Sequence, residues 1–280
     1  MAWWGKLLGG TFGFMLGGPL GAILGAALGH QYDKGLKALP GGSGQQEIPP
    51  DQQELNQTAF FTATFAVMGH IAKADGVVTR EEIRFAEAVM QQMDLTQEQR
   101  EIAIKLFREG KKEDFSLDEV LDQFHSRIGR QRNLIRMFME IQVQAAYGDG
   151  KKHAAEHRIL ESISKRLGIS TMELGMIEQM VLASMHFQER GRQQHERGRE
   201  RPRARSAGIG SLSDAYAMLE IGKSASDSDV RKAYRRMLSR HHPDKLASKG
   251  LPEEMMKMAA EKTHLIKQAY EMIKQSRGMR

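Results

Sequence analysis

A chain of 280 residues has room for about two folded domains, and with no cysteine it can form neither a disulfide nor a thiolate metal site. Its 40% hydrophobic and 27% charged residues permit packed cores, and 18 Met against 6% aromatic residues favour helices, so an all-α fold is expected. The net charge of +6 does not point to a specific nucleic-acid partner, because Arg is gathered in one linker and one C-terminal helix rather than spread over a surface.

A short end, residues 1–6, precedes 22 residues without a charge at 7–28. As a helix that run is about 33 Å long, enough to cross a hydrocarbon core of about 30 Å, so the lipid bilayer is an expected partner. Gly25-Ala26-Ala27 also offers small residues for signal-peptide cleavage. Against cleavage, the run exceeds the usual apolar stretch of about 7 to 15 residues and only Lys6 precedes it, which favours a retained transmembrane helix. Trp3, Trp4 and Tyr32 suit the headgroup region. Gly5, Gly9, Gly13, Gly17, Gly21, Gly25 and Gly29 recur at every fourth position. Such a row lets two helices approach closely in lipid, and Gly9, Gly13, Gly17, Gly21 and Gly25 are the candidate contacts of a homodimer. Pro19 should kink the span. Lys6 on one side and Lys34 and Lys37 on the other leave orientation open.

Residues 29–51, with PGGSGQQEIPP at 40–50, read as a flexible linker. From 52 to 188 apolar residues recur at three and four spacing, as in Phe61, Phe65, Met68, Ile71 and Ala72, then Ile83, Phe85, Ala86 and Met90. With turns at 74–76, 109–111, 148–150 and Gly168, and with Thr79, Thr96, Ser116 and Ser170 as N-caps, about seven helices follow. Asp75-Gly76 and Asp149-Gly150 are each followed by five residues and a Glu, Glu82 or Glu156, a weak internal repeat. The same spacing forms the second half of an EF-hand loop, but Ile71, Lys73, Ala145 and Tyr147 stand where earlier oxygen ligands belong, so a turn closed by Gly and Glu is preferred to calcium. The arrangement resembles the tellurite-resistance TerB-like helical domain.

His153-Ala154-Ala155-Glu156-His157 has the spacing of an inverted zinc-protease motif. Its repeat-mate Glu82 is flanked by Thr79 and Ile83 in place of the two His, which favours a solvated helix face over a zinc site. No metal, cofactor or catalytic residue is expected. Residues 189–210 begin with seven Arg, three Glu, two Gly and one Pro by position 205 and read as a charged tether, with lipid or nucleic-acid phosphate as alternative contacts.

The segment 211–280 is the most specific. A short capped helix over 213–219 is followed by Ser226 and Asp229, a capping signal for a helix to about Arg240. Val230, Ala233, Tyr234, Met237 and Leu238 give that helix a core side, and Arg231, Lys232, Arg235, Arg236 and Arg240 make its other faces cationic. Pro243 then interrupts it at His241-His242-Pro243-Asp244-Lys245. A third helix, about 252–275, carries Ala259, Leu265, Ile266, Ala269, Tyr270, Met272 and Ile273.

With Asp-Ala-Tyr-x-x-Leu at 214–219, Arg-Lys-Ala-Tyr-Arg-Arg at 231–236, His-His-Pro-Asp-Lys at 241–245 and Gln-Ala-Tyr-Glu-x-Ile at 268–273, this segment resembles the J domain. The resemblance implies a DnaK-type chaperone as partner. Arg231, Lys232, Arg235, Arg236 and Lys245 are then the docking residues, His242, Pro243 and Asp244 the ATPase-triggering loop, and Tyr216, Leu219, Tyr234 and Ile266 the braces of the hairpin. Thr263 departs from the large apolar residue usual at its place, which should soften packing of the third helix. The order of span, TerB-like middle, charged linker and J domain is similar to that of the bacterial DnaJ-like protein A family. That implies an inner-membrane protein with a short periplasmic end and a cytoplasmic body, a co-chaperone rather than an enzyme. An alternative makes the middle domain of a membrane dimer the partner-binding scaffold, with the J domain only delivering an unidentified client.

Overall fold

The computed structural model describes residues 16–35, 52–74, 80–93, 95–148, 153–197 and 211–279. These fold as α1 (Gly18–Gly35), α2 (Gln52–Ala72), α3 (Arg80–Gln92), α4 (Gln97–Gly110), α5 (Leu117–Ile128), α6 (Arg132–Ala146), α7 (Ala154–Arg166) and α8 (Thr171–Arg197). The C-terminal part adds α9 (Leu212–Met218), α10 (Asp227–His241), α11 (Pro243–Ala247), a 3-10 turn at Glu253–Met255 and α12 (Met256–Arg277). Among the described residues there is no strand, as expected of an all-α chain.

Helix α2 is apolar or small on every side from Ala59 to Gly69, and it is buried on every side there, because α4, α5 and α6 pack round it. Phe60, Phe124 and Phe138 meet at ring-centroid separations of 4.6 to 6.2 Å in its centre. Of the expected core positions, Phe61, Phe65, Met68, Ile71, Ala72, Ala86 and Met90 are buried, and the side chains of Ile83 and Phe85 lie outside the described residues. Of the expected N-caps, Thr96 forms a reciprocal capping box with Gln99 and Ser170 accepts from Glu173 N at 3.2 Å, Ser116 stands ahead of α5 without a side-chain cap bond, and Thr79 lies outside the described residues.

The crossing of α2 and α4 is set by two glycines. A Cβ on Gly110 would run into the carbonyl of Ala66, and one on Gly69 into the carbonyl of Phe107. The helices therefore touch backbone to backbone, and Gly110→Ala must spread them. The expected cost is about 1–3 kcal/mol, read as a lower urea midpoint with an unchanged slope.

The N-terminal segment differs from the expected continuous helix over 7–28. Gly17 and Gly18 both take positive φ, at 59° and 56°, and break the helix, so α1 starts at Gly18. Pro19 lies in the first turn, where its missing N–H costs no intrahelical bond, and not at a mid-span kink. Gln123 closes this helix start: its Oε1 accepts from Leu20 N at 2.7 Å and its Nε2 donates to Leu16 O and Gly17 O at 3.0 and 2.7 Å. Leu16, Leu20, Leu24 and Ala27 form a buried stripe against α4 and α5. The apolar face that would suit lipid is here taken up by the bundle, and among the described residues no helix is long and apolar enough to cross a membrane. Of the glycine row, Gly9 and Gly13 lie outside the described residues, Gly17 is at the break, Gly21 faces the bundle and Gly25 faces solvent.

A second difference is at α8, which runs to Arg197, well into the segment whose composition suggests an unfolded tether. A helix already nucleated by packing adds residues without a new nucleation cost, and Arg, Gln and Glu are good helix formers.

Candidate functional site

The C-terminal hairpin is built from α10 and α12. Ser226 caps α10, accepting from Asp229 N at 3.2 Å and donating its hydroxyl to the Asp229 carboxylate at 2.7 Å. Val230, Ala233 and Met237 are buried against Leu265, Ile266, Ala269 and Ile273 of α12, and Tyr234 stacks on Tyr270 with centroids 4.0 Å apart. Helix α9 closes the hairpin with Tyr216 and Leu219, and its N-cap is Ser211, two residues ahead of the expected start. Sequence reasoning missed Arg277. It lies over the Tyr216 ring, donates to the Tyr216 hydroxyl at 2.6 Å, and donates to the carbonyls of Ala225 and Lys223 at 2.6 and 2.7 Å, tying the loop between α9 and α10 to the end of α12.

At the end of α10 the chain turns. His242 is extended, with φ −62° and ψ 122°, because the following proline ring excludes the helical conformation. Pro243 then opens α11 at a position where it loses no hydrogen bond. The side chains of His242 and Asp244 are 47% and 85% exposed and 3.9 Å apart at Nδ1 and Oδ2, so both are available to a partner. Arg231, Lys232, Arg235 and Arg236 are exposed along the outer side of α10, and Lys245 reaches back to donate to Ser239 at 2.8 Å. The structure thus places the basic residues along one helix of the hairpin and the loop at the end of that helix. Arg240 does not join them: it donates to Glu220 at 2.8 Å.

Thr263 does not loosen this end. Its hydroxyl lies 3.0 Å from the carbonyl of His241 and 2.9 Å from that of Ala259, so it satisfies one of the orphan acceptors at the end of α10. Thr263→Val, which keeps the shape and deletes the donor, should cost about 1 kcal/mol in denaturant unfolding.

Behind the loop lies a buried charge cluster. Glu140 on α6 takes His241 Nε2 at 2.9 and 3.1 Å, with Lys262 Nζ at 3.6 Å and Arg136 Nε at 3.5 Å. Burial alone would raise its carboxyl, but His241, Lys262 and Arg136 outweigh it and hold the group at about 2. Arg136 also pairs with Glu173 at 3.4 Å and with Glu220. Their one sequence signal is an Arg and a Glu four apart inside a helix that is apolar at Leu134, Ile135, Met137, Phe138 and Ile141.

The zinc-protease spacing leads elsewhere. His157 approaches Glu178 at 2.9 Å and Glu161 at 3.3 Å, Glu156 is buried, and His153 is exposed just before α7. Among the described residues no three His, Cys, Asp or Glu are placed to hold a metal. Asp75, Gly76, Asp149 and Gly150 lie outside the described residues.

Three family models match the chain: the DjlA co-chaperone transmembrane domain at residues 1–39, the tellurite resistance protein TerB at 61–179 and the DnaJ domain at 214–278. The co-chaperone protein DjlA of Vibrio cholerae is 44% identical over 99% of this chain and 99% of its own length. The chain belongs to the DjlA co-chaperone family. The DjlA proteins of Photobacterium profundum and Coxiella burnetii are 43% and 42% identical, covering 99% and 100% of this chain and 100% of each relative. No solved structure matches the chain. As a DjlA-family member it is a J-domain co-chaperone, a regulator rather than a catalytic enzyme, with the family's transmembrane domain at its N-terminus.

Proposed function

We propose that this chain stimulates the ATPase of a DnaK-type chaperone through His242, Pro243 and Asp244, and recruits that chaperone to the bacterial inner membrane. The observation that carries this reading is the exposed loop at the end of α10 beside exposed Arg231, Lys232, Arg235 and Arg236. The basic face steers the hairpin onto an acidic surface of the chaperone, an attraction of long range that raises the encounter rate. The loop then favours the chaperone arrangement that hydrolyses ATP, and no covalent chemistry falls to this chain.

In the membrane-inserted protein, residues 7–28 form the single span, residues 1–6 are periplasmic and the domains after the linker are cytoplasmic, where the chaperone finds ATP. There Gly9, Gly13, Gly17, Gly21 and Gly25 support self-association, and Leu16, Leu20, Leu24 and Ala27 exchange the bundle for lipid or a second copy.

Flotation tests recruitment. A DnaK-type chaperone with ATP should rise with vesicles carrying the full chain and not with bare vesicles; a chaperone left in the dense fraction in both cases contradicts the reading. The lack of native cysteines makes topology equally accessible. A cysteine introduced at Ala2 should label from the periplasmic side, and one at Ser228 only after the membrane is opened.

A further inference from the structure

The two residues that immediately precede the loop are both tied to the middle domain. His241 is 2% exposed, with Nδ1 3.0 Å from the carbonyl of Met237 and Nε2 on Glu140 of α6, itself 2% exposed. Both groups that His241 faces accept, so the geometry calls for an N–H at each ring nitrogen. Arg240 is tied by a second route: it donates to Glu220, and Glu220 pairs with Arg136, one turn before Glu140 on α6. Glu220 holds a φ of 55° at the end of α9, where glycine is usual, with its side chain 4% exposed. The position that a glycine would fill without strain instead carries the carboxylate between two arginines.

Around these ties the hairpin and the middle domain share their cores. Met180, Ala183 and Phe187 of α8 complete the hairpin core, while Leu246, Leu251, Met255, Met258 and Ala259 enter the core of the middle domain. Gln53 and Gln57 donate to the carbonyls of Ala247 and Leu251 at 3.3 and 3.4 Å, and Gln99 donates to Glu254 at 3.0 Å. Apolar contact supplies adhesion but little direction. Ion pairs and hydrogen bonds, being costly to leave unmade when buried, fix one arrangement. The faces left outward are those that carry Arg231, Lys232, Arg235 and Arg236, with His242 and Asp244 at their end.

We propose that Glu140 and Arg136 of the middle domain are positioning residues for the His242-Pro243-Asp244 loop: by holding His241 and, through Glu220, Arg240, they set the direction in which the loop is presented to the chaperone. The middle domain is then part of the activating device and not only a spacer between membrane and J domain. This rests on the co-chaperone reading above.

The test uses the full chain with Ser162→Cys and Ser228→Cys, two exposed positions, one on α7 and one on α10, carrying spin labels. The distance between labels is measured together with single-turnover ATP hydrolysis by a DnaK-type chaperone, for wild type, Glu140→Gln, His241→Leu and His241→Gln. Wild type should give one narrow distance. Glu140→Gln and His241→Leu should broaden it and lower the maximal stimulation about tenfold, as expected when a reacting arrangement is misplaced. The chain concentration giving half-maximal stimulation should stay where it was, because the exposed basic face is untouched. His241→Gln, whose amide can still donate to Glu140, should recover both readouts.

Circular dichroism checks that each variant is folded, and if Glu140→Gln is not, the His241→Leu and His241→Gln pair decides. A broad distance in wild type, or folded variants matching wild type in both readouts, overturns the proposal. A narrow wild-type distance with no stimulation by any form overturns the co-chaperone reading itself, and with it the role assigned to the joint.

Discussion

His242→Gln is expected to leave the chain folded and able to bind a DnaK-type chaperone, and to remove its stimulation of ATP hydrolysis down to the basal rate. The side chain is 47% exposed and its backbone, at φ −62° and ψ 122°, is a conformation that Gln adopts readily ahead of Pro243. Stability should therefore move by no more than about 0.5 kcal/mol. Arg231, Lys232, Arg235 and Arg236, the residues proposed for docking, lie along α10 and are not altered, so affinity and its weakening by salt should persist. Separate loss of activation and of binding distinguishes a trigger from a contact residue. Equilibrium binding at two salt concentrations checks the retained half of this expectation.

Glu140→Gln should lower the stability of the full chain by about 3–5 kcal/mol, because it leaves Lys262 and His241 without their buried counter-charge and Arg136 with only Glu220 and Glu173. The effect has a pH signature. Three positive neighbours, Arg136 on its own helix, His241 at the end of α10 and Lys262 on α12, hold the carboxyl at about 2 against an ordinary value of 4.5. A depressed folded-state value contributes stability that is fully present above the unfolded-state value and is lost as pH falls through the folded one. The gap between wild type and Glu140→Gln should thus be full at pH 7, begin to close below about 4.5 and vanish near 2. Urea unfolding of both forms across that range checks it, and a gap independent of pH would remove Glu140 from the account.

The hairpin was the most legible part of the chain, for a local reason. Val230, Ala233 and Met237, and Leu265, Ile266, Ala269 and Ile273, repeat at helical spacing, and all are buried. Pro243 marks its own boundary, and Thr96, Ser170 and Ser226 cap within three residues of themselves. What stayed hidden joins residues far apart. Glu140 and His241 are separated by 101 positions and no periodicity relates them. Gly110 reads as a turn residue, yet its requirement comes from the backbone of Ala66 across a helix crossing. Thr263 looks like a defect in an apolar row until the carbonyl of His241 is found beside it. At the N-terminus an uncharged run predicts one long helix, whereas Gly17 and Gly18 allow the chain to turn and Gln123 supplies the partners for the break.

The most direct test of the account is the time course of single-turnover ATP hydrolysis by a DnaK-type chaperone at saturating full chain in vesicles, wild type beside His242→Gln. The wild type should accelerate hydrolysis and the variant should leave it at the basal rate. Equal acceleration by both, or none by either, would contradict the account.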